Sequence, residues 1–335
     1  MSQHTTARCI SLIVPCFNEE HSLDAFFQRL ETIIDELHNY RFEIICVDDG
    51  SRDNTLERLC QHAKRNTNII VLELSRNFGK EAALTAGLDA ATGDAVIPID
   101  ADLQHPPETI IPMIQQWEQG SDVVLAKRKS RTTDHPLQKF VTQYFYKLHN
   151  RISDCEIPRD VGDFRLMDRT VVAALKTLPE RRRFMKGLFA WVGFRQSTVE
   201  FEVAPRRSGA SSFNTRRLWG LAIEGITSFS TAPLSVWTYT GLSVALLSLI
   251  YGSWIVIKTL AFGIDVPGYA SLLVAVLFLG GIQLMGIGVL GEYIGRIYSE
   301  SKQRPIYIVR QRYSQASEQA HSASDTNSPK HKEFL

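Results

Sequence analysis

The feature that most limits the fold is an alternation of short apolar runs with longer stretches of helical spacing. We predict strands at residues 10–15, 42–47, 69–74, 95–99 and 123–126. Between them apolar residues return every three or four positions, as in residues 19–39, which indicates helices packing one face on a sheet. Further helices are expected to end near residues 64 and 91 and to begin at residue 106. This regularity favours an α/β, Rossmann-like domain with a mainly parallel sheet and right-handed crossovers.

Carboxylates follow the fourth of these strands directly. Asp100 and Asp102 are one residue apart, and Gln104 comes next in the same stretch. Alternate residues leave a strand on the same face, at the end where open α/β sheets bind ligands. Three hard oxygen ligands would suit Mg²⁺ or Mn²⁺ carrying a diphosphate. For an isolated pair of this kind the simpler alternative is a polar turn at the strand exit.

Composition excludes several classes of protein. The formal net charge is +1, which gives no indication of nucleic-acid binding, and there is no G-x-G-x-x-G and no Walker lysine loop. Five cysteines without a C-x-x-C pair favour a reducing compartment and argue against a disulfide framework or a zinc site. The polar residues 1–8 lack the apolar core of a signal peptide, so we expect a cytoplasmic N-terminus.

Four motifs occur in order, each after a predicted strand, at residues 14–19, 47–51, 76–80 and 100–104. Together with residues 162–166 and the apolar segments that follow, they resemble the family 2 glycosyltransferases of GT-A fold, over residues 10–305. Within that family the chain is most similar to the polyprenyl-phosphate glycosyltransferases, and in particular to the bactoprenol glucosyltransferase group.

The resemblance implies a site for a sugar nucleotide and a metal ion. Its nucleotide-sugar residues are Pro15, Asn18, Glu19, Asp48, Asp49, Lys80 and Asp100. Its Mg²⁺ or Mn²⁺ ligands are Asp100, Asp102 and Gln104, and Asp102 also counts as catalytic. For Asp48 and Asp49 the alternative is an ordinary Asp-Gly turn. We do not expect His105 to be a ligand, because the hard oxygen set is already sufficient.

Basic residues after the fifth strand are candidates for binding the acceptor phosphate. Arg128 matches a phosphate-contacting position of the resembled family and is also a candidate catalytic residue, and Arg131 and Arg206 are further candidates for the phosphate. The alternative is a solvated basic face. The family loop at residues 204–213 usually has a lysine where this chain has Ser212, so this loop lacks one cation that the resemblance would place near the phosphates.

Asp163 is the candidate catalytic acid nearest the sugar, with Asp160 as the alternative in the same segment. A lipid monophosphate has a second pKa of about 6, so its nucleophilic oxygen is already largely anionic at neutral pH. A general base is therefore not required. Asp163 would instead orient a sugar hydroxyl or the metal shell.

Two apolar segments, at residues 240–262 and 269–294, are long enough to cross a bilayer. The first has about 23 residues, or about 34 Å as a helix. Basic residues precede the first and follow the second, so the positive-inside rule places both ends in the cytoplasm. The alternative is a helical hairpin buried in a soluble core. Residues 214–231 read as an interfacial helix, and the polar residues 311–335 as a disordered tail.

These observations predict a catalytic domain (1–213), an interfacial helix (214–232), a transmembrane hairpin (233–298) and a cytoplasmic C-terminal segment (299–335). The resemblance implies transfer of glucose from UDP-glucose to undecaprenyl phosphate, with inversion, at the cytoplasmic face of a bacterial inner membrane. The expected partners are a UDP-sugar, a polyprenyl phosphate lipid and the bilayer, with homo-oligomerisation left open. Alternatives are another donor sugar, a processive polysaccharide synthase, or a sugar-nucleotide sensor without turnover.

Overall fold

A computed structural model describes residues 7–129, 161–181, 183–202, 232–262 and 268–315. The chain divides into two compact units. One contains Met1–Thr142, Ile157–Ser212 and Pro305–Leu335, and the other contains Gln143–Glu156 and Phe213–Arg304.

The first unit is an α/β domain. Its strands are β1 (Cys9–Cys16), β2 (Arg41–Asp48), β3 (Ile69–Leu74), β4 (Ala95–Pro98), β5 (Val123–Arg128), β6 (Val161–Asp168), β7 (Gln196–Phe201) and β8 (Val309–Tyr313). Its helices are α1 (Leu23–Glu36), α2 (Thr55–Arg65), α3 (Lys80–Ala90), α4 (Ile110–Glu118), α5 (Arg169–Thr177) and α6 (Met185–Trp191). A short 3₁₀ turn, Pro107–Thr109, precedes α4.

The strands form one mixed sheet in the order β7-β5-β6-β4-β1-β2-β3-β8. β1 pairs in parallel with β2 and β4, β2 with β3, and β5 with β7. β6 and β8 run antiparallel to their neighbours. The predicted α/β class with a mainly parallel, GT-A-like sheet is therefore confirmed.

The alternation of side chains along each strand builds a core on both faces of the sheet. On β2, Ile44 and Cys46 belong to the larger cluster, whereas Ile45 and Val47 belong to the cluster against α3. α3 lies very close to the sheet, because a Cβ added to Gly87 would stand 2.2 Å from Cγ2 of Ile13. Only glycine fits there, so α3 and its first residues are held at a fixed height above β1.

Two element boundaries differ from the prediction. The first helix begins at Leu23 rather than at residue 19, because residues before it are bonded to the next loop: the Glu19 N–H donates to Oγ1 of Thr55 at 2.8 Å. The fifth strand continues to Arg128 because its parallel pairing with β7 extends to Phe201.

The C-terminal segment corrects a further expectation. Residues 311–313, predicted to belong to a disordered tail, lie in β8 and pair with β3. The reason is a buried carboxylate on β3: Glu73 accepts hydrogen bonds from Arg310 at 2.9 Å and from the Tyr313 hydroxyl at 2.8 Å. An acid buried at a sheet edge requires such partners, and the polar segment supplies them.

The second unit contains the two long helices α7 (Ala232–Phe262) and α8 (Tyr269–Ser301). Val236–Phe262 and Phe278–Ser301 are long and apolar enough to cross a membrane, and none of the most apolar window of either helix is buried within the chain. The helices approach each other at Gly286, where an added Cβ would stand 3.8 Å from the Trp237 ring. The predicted interfacial helix at 214–231 lies outside the described residues.

Candidate active site

The order and direction of the strands bring the sequence motifs to one edge of the sheet. β1, β2, β3 and β4 are parallel, so their carboxyl ends share that edge. β6 is antiparallel to β4, so its first residues lie at the same edge. The sheet thereby places Asp163, near the start of β6, beside Asp100, which follows β4 by two residues.

Lys80 connects these two acids. Its Nζ lies 2.7 Å from Oδ1 of Asp100 and 3.2 Å from Oδ2 of Asp163. Burial lowers the pKa of Lys80, but the two carboxylates outweigh it, so the pKa is raised and the amine stays charged. Burial raises the pKa of Asp163, yet the charges of Lys80, Lys186 and Arg165 hold it below its ordinary value. Both acid and amine are therefore ionised at neutral pH.

Asp102 and Gln104 lie in the turn after Asp100. Leu103 adopts a left-handed conformation with φ of 59°, and Oδ1 of Asp102 accepts a hydrogen bond from the Gln104 N–H at 3.0 Å. Within the described part of the chain, Oδ2 of Asp102 has no hydrogen-bond partner. The turn therefore leaves one carboxylate oxygen of Asp102 available.

The oxygen atoms of the acids at this edge are the kind of ligand that a divalent cation such as Mg²⁺ prefers. Among the described residues, Asp163 Oδ1 and Asp48 Oδ1 are buried oxygens without a hydrogen-bond partner. Across the described ranges, no group of three or more His, Cys, Asp or Glu side chains is arranged to hold a metal. The predicted set contains only two carboxylates and an amide, so the remaining positions of an ion there would go to phosphate and water.

The loop after β2, called here the second loop, carries the two acids predicted to line a nucleoside pocket. Both oxygens of Asp49 are used within the protein, accepting from the N–H groups of Phe78 at 2.7 Å and Gly79 at 2.9 Å. Asp48 accepts at one oxygen from the Ser51 N–H at 3.3 Å. Burial raises the pKa of both acids. Asp49 thus holds the loop after β3, called here the third loop, in place, whereas Asp48 keeps one oxygen without a hydrogen bond from the described residues.

The loop after β1, called here the first loop, is hydrogen-bonded to the second loop. Asn18, in a left-handed conformation with φ of 56°, accepts from the Arg52 N–H at 2.9 Å and donates its own N–H to Ser51 at 3.0 Å. The carboxylate of Glu19 accepts from the Ser22 hydroxyl at 2.7 Å. Pro15 is half-buried in β1, opposite Val47. These residues border the edge and fix its backbone.

Gly50, in the second loop, lies close to the backbone of the third loop. Its φ is +67°, and a Cβ at this position would lie 2.6 Å from the carbonyl carbon of Arg76. The close approach explains why the Asp-Gly pair stands here: a side chain would push apart the loop that ends in Lys80.

His105 takes no part as a hydrogen-bonding ligand among the residues described. Its ring lies 5.0 Å from that of Phe164 and 5.7 Å from that of Phe201. Nδ1 is buried, has no hydrogen bond and lies 3.6 Å from Oδ2 of Asp100. Burial lowers the pKa of His105, so the ring is neutral at pH 7. The ring packs against the two phenylalanines next to the turn at residues 100–104.

The predicted phosphate-binding residues are only partly described. Arg128 is exposed at the end of β5, next to Lys127, which pairs with Val161 at the start of β6. This register places Arg128 at the same edge as Asp163. Arg131, Arg206 and Ser212 lie outside the described residues.

Two charged residues at this edge were not predicted from the sequence. Arg165 is 5% exposed, and Glu81 is half-buried beside Lys80. The signal for Arg165 was its spacing of two from Asp163 on a strand, which puts both on one face. No local pattern distinguishes Glu81 from an ordinary helix residue.

Comparison with known proteins follows the same division of the chain. Residues 11–175 match Glycosyl transferase family 2, and residues 232–297 match the GtrB C-terminal hairpin. Over 301 residues the chain is 55% identical to the Bactoprenol glucosyl transferase of Shigella phage SfV, covering 90% of this chain and 98% of that protein.

Other similar proteins include the prophage bactoprenol glucosyl transferase homolog of Escherichia coli K12, 53% identical over 301 residues, with 90% of this chain and 98% of that protein covered. Among solved structures, glucosyl-3-phosphoglycerate synthase from Mycobacterium tuberculosis in complex with Mg²⁺ and uridine-diphosphate is 20% identical. Its TM-score is 0.46, with 65% of this chain and 77% of that chain covered.

Proposed function

This chain belongs to glycosyl transferase family 2, and on that premise we propose that it transfers glucose from UDP-glucose to a polyprenyl phosphate at a membrane surface. The observation that carries the chemistry is the meeting of Asp100, Asp163 and Lys80 at one sheet edge. The glucosyl donor and the bactoprenol-type acceptor are inferred from the names of the similar proteins.

The donor diphosphate is proposed to bind, together with Mg²⁺ or Mn²⁺, at the turn formed by residues 100–104. Asp100, Asp102 and Gln104 are the residues that would hold the ion. When bound, such an ion neutralises negative charge that develops on the departing diphosphate. Lys80 adds a fixed positive charge at the same place, and Asp48 offers its free oxygen toward the nucleoside.

The acceptor is proposed to react as an oxygen nucleophile without a general base. Its phosphate, with a second pKa of about 6, is already anionic at neutral pH. Attack on the anomeric carbon from the side opposite UDP forms the new C–O bond, breaks the bond to UDP and inverts the centre. Asp163, held ionised by its cationic neighbours, is suited to accept hydrogen bonds from sugar hydroxyls. Arg128, with Arg131 and Arg206, is proposed to hold the acceptor phosphate.

Binding both substrates at the membrane supplies the orientation that a two-substrate transfer needs. The helices α7 and α8 are proposed to span a bacterial inner membrane as a hairpin, with both ends and the catalytic unit in the cytoplasm. The charges support this, because Lys302 and Arg304 follow the second span and Arg296 lies near its end.

A donor panel tests the proposal. The purified full chain is incubated with undecaprenyl phosphate, Mg²⁺ and, in turn, UDP-glucose, UDP-N-acetylglucosamine, GDP-mannose and a UDP-aminoarabinose derivative. Mass spectrometry of the extracted lipid identifies the sugar. We expect a hexose from UDP-glucose to dominate. Preferred transfer of another sugar would support the same fold with a different donor, and no transfer from any donor would favour a sugar-nucleotide sensor.

A further inference from the structure

Glu81 is an acid that neither the sequence motifs nor the proposed mechanism uses. It is the second residue of α3 and follows Lys80 directly. Its Oε2 accepts a hydrogen bond, 3.1 Å long, from the backbone N–H of Met185, the first residue of α6. Residues far apart in the chain are thus joined by one carboxylate, which ties the beginning of α6 to the beginning of α3.

A second contact of α6, one turn further along the helix, leads back to the active site. The ring of Phe189 lies 4.1 Å from the guanidinium carbon of Arg165, a cation–π contact. Arg165 donates to the Gly162 carbonyl oxygen at 2.7 Å, which braces the residue before Asp163. Because Lys80 also contacts Asp163, the contacts form a closed ring through α3, α6 and β6.

The charged groups around Glu81 come from each of these elements. Lys80 faces it from α3, Asp163 from β6 and Lys186 from α6. Burial and then the charge of Asp163 raise the pKa of Glu81, while the Met185 N–H and the two lysines oppose the rise, leaving it at about 7. Glu81 therefore changes its charge near neutral pH, in direct electrostatic contact with a residue of the site.

We propose that Glu81 is a positioning residue for the transfer reaction: its carboxylate holds the start of α6 against α3 and thereby fixes Asp163 and Arg165 behind the sugar diphosphate. This inference deepens the proposed function and rests on it. The side chain acts through its neighbours and does not touch the substrate.

The charge of Glu81 is then linked to donor binding. The donor diphosphate draws on the positive charges of Lys80 and Lys186, and an ionised Glu81 competes with it for both lysines. Donor binding consequently favours the protonated acid. The affinity for the donor is expected to be highest below pH 7 and to fall as the pH rises through the pKa of Glu81.

The first experiment measures the dissociation constant of UDP-glucose for the full chain in detergent with Mg²⁺, by calorimetry at several values of pH around 7. UDP-glucose is the probe because its diphosphate diester does not titrate in this range. For the native chain we expect the dissociation constant of UDP-glucose to rise roughly threefold or more over about two pH units. Glu81→Gln, which still accepts from Met185 but cannot ionise, should remove this dependence. Glu36→Gln, at the exposed end of α1, should retain it.

The second experiment is independent of the donor. Hydrogen–deuterium exchange of the peptide containing Met185 should be faster in Glu81→Ala than in the native chain, by roughly tenfold, and close to native in Glu81→Gln. Native exchange in Glu81→Ala, or an unchanged pH dependence in Glu81→Gln, would overturn the inference. If the native chain binds no UDP-glucose while the exchange effect is present, the proposed donor is wrong and the positioning role of Glu81 stands.

Discussion

Lys80 and Asp100 form an ion pair in which one ammonium contacts both oxygens of the carboxylate, at 2.7 Å from Oδ1 and 2.8 Å from Oδ2. The contact joins the first residue of α3 to the turn after β4. A divalent cation held by Asp100 has to share this carboxylate with Lys80. The positive charge of the lysine is therefore part of the site rather than a neighbour of it.

Removal of the lysine charge should weaken donor binding. Lys80→Met leaves Asp100 and Asp163 without their shared cation, so the two acids repel each other and the diphosphate. A hydrogen bond to a charged group contributes about 1.5–3 kcal/mol, so we expect a dissociation constant for UDP-glucose at least about tenfold higher. Lys80→Arg, which keeps the charge, should lose less. Calorimetry measures the dissociation constant of UDP-glucose for both variants. An affinity equal to that of the native chain in Lys80→Met would show that Lys80 does not contribute to donor binding.

Asp102→Ala should abolish transfer while the protein stays folded. Its free oxygen is the one that the turn leaves available, so we expect transfer to fall below detection, a loss of at least about 100-fold. Binding of Mn²⁺ followed by electron paramagnetic resonance should weaken in parallel. Asp35→Ala, on the exposed face of α1, is the matched control. Near-normal transfer by purified Asp102→Ala enzyme would refute the metal assignment.

Arg128 is predicted to act on the acceptor rather than on the donor. Arg128→Ala should raise the KM for polyprenyl phosphate by about tenfold, with little change in the KM for UDP-glucose, because only the lipid phosphate loses a planar pair of donors. The KM of Arg128→Lys for polyprenyl phosphate should lie between those of the native chain and of Arg128→Ala. Steady-state kinetics with each substrate varied in turn distinguishes the roles, and a larger effect on the donor KM would contradict the assignment.

Comparing Gly50→Ala with Gly193→Ala distinguishes the effect of backbone strain from the effect of steric contact between two loops. Gly50 and Gly193 have φ values of +67° and +71°, but only Gly50 has atoms of another loop within reach of a new Cβ. Both alanine variants carry the left-handed penalty of about 1–2 kcal/mol. Gly50→Ala should in addition displace the Arg76 backbone and weaken UDP-glucose binding. Equal donor affinity in the two variants would mean that the contact between the loops does not shape the site.

Local patterns in the sequence predict the strands and the acids that follow them. The apolar run before Asp100 specifies a buried strand, and parallel strands bring their carboxyl ends together. These two rules predict the acidic edge without any long-range information. The family resemblance adds the residues of each loop. What it implies about their roles stays a prediction, and Asp49 shows why: both its oxygens are taken up in holding the third loop.

Long-range contacts are what the sequence does not reveal. Tyr313 belongs to a polar stretch that local patterns predict to be unstructured, yet its hydroxyl donates a hydrogen bond to Glu73 on β3. The contact of Glu81 with Met185 depends on the packing of α6, which no spacing in the chain encodes. Such contacts join elements more than a hundred residues apart, and local periodicity carries no signal for them.

The most direct test of the central claim follows radiolabelled glucose from UDP-glucose into lipid extracted from a reaction of the purified full chain. We predict label in the organic phase only when both polyprenyl phosphate and Mg²⁺ or Mn²⁺ are supplied, and none with Asp102→Ala. Label that stays in the aqueous phase with native enzyme, lipid acceptor and metal all present would contradict the account.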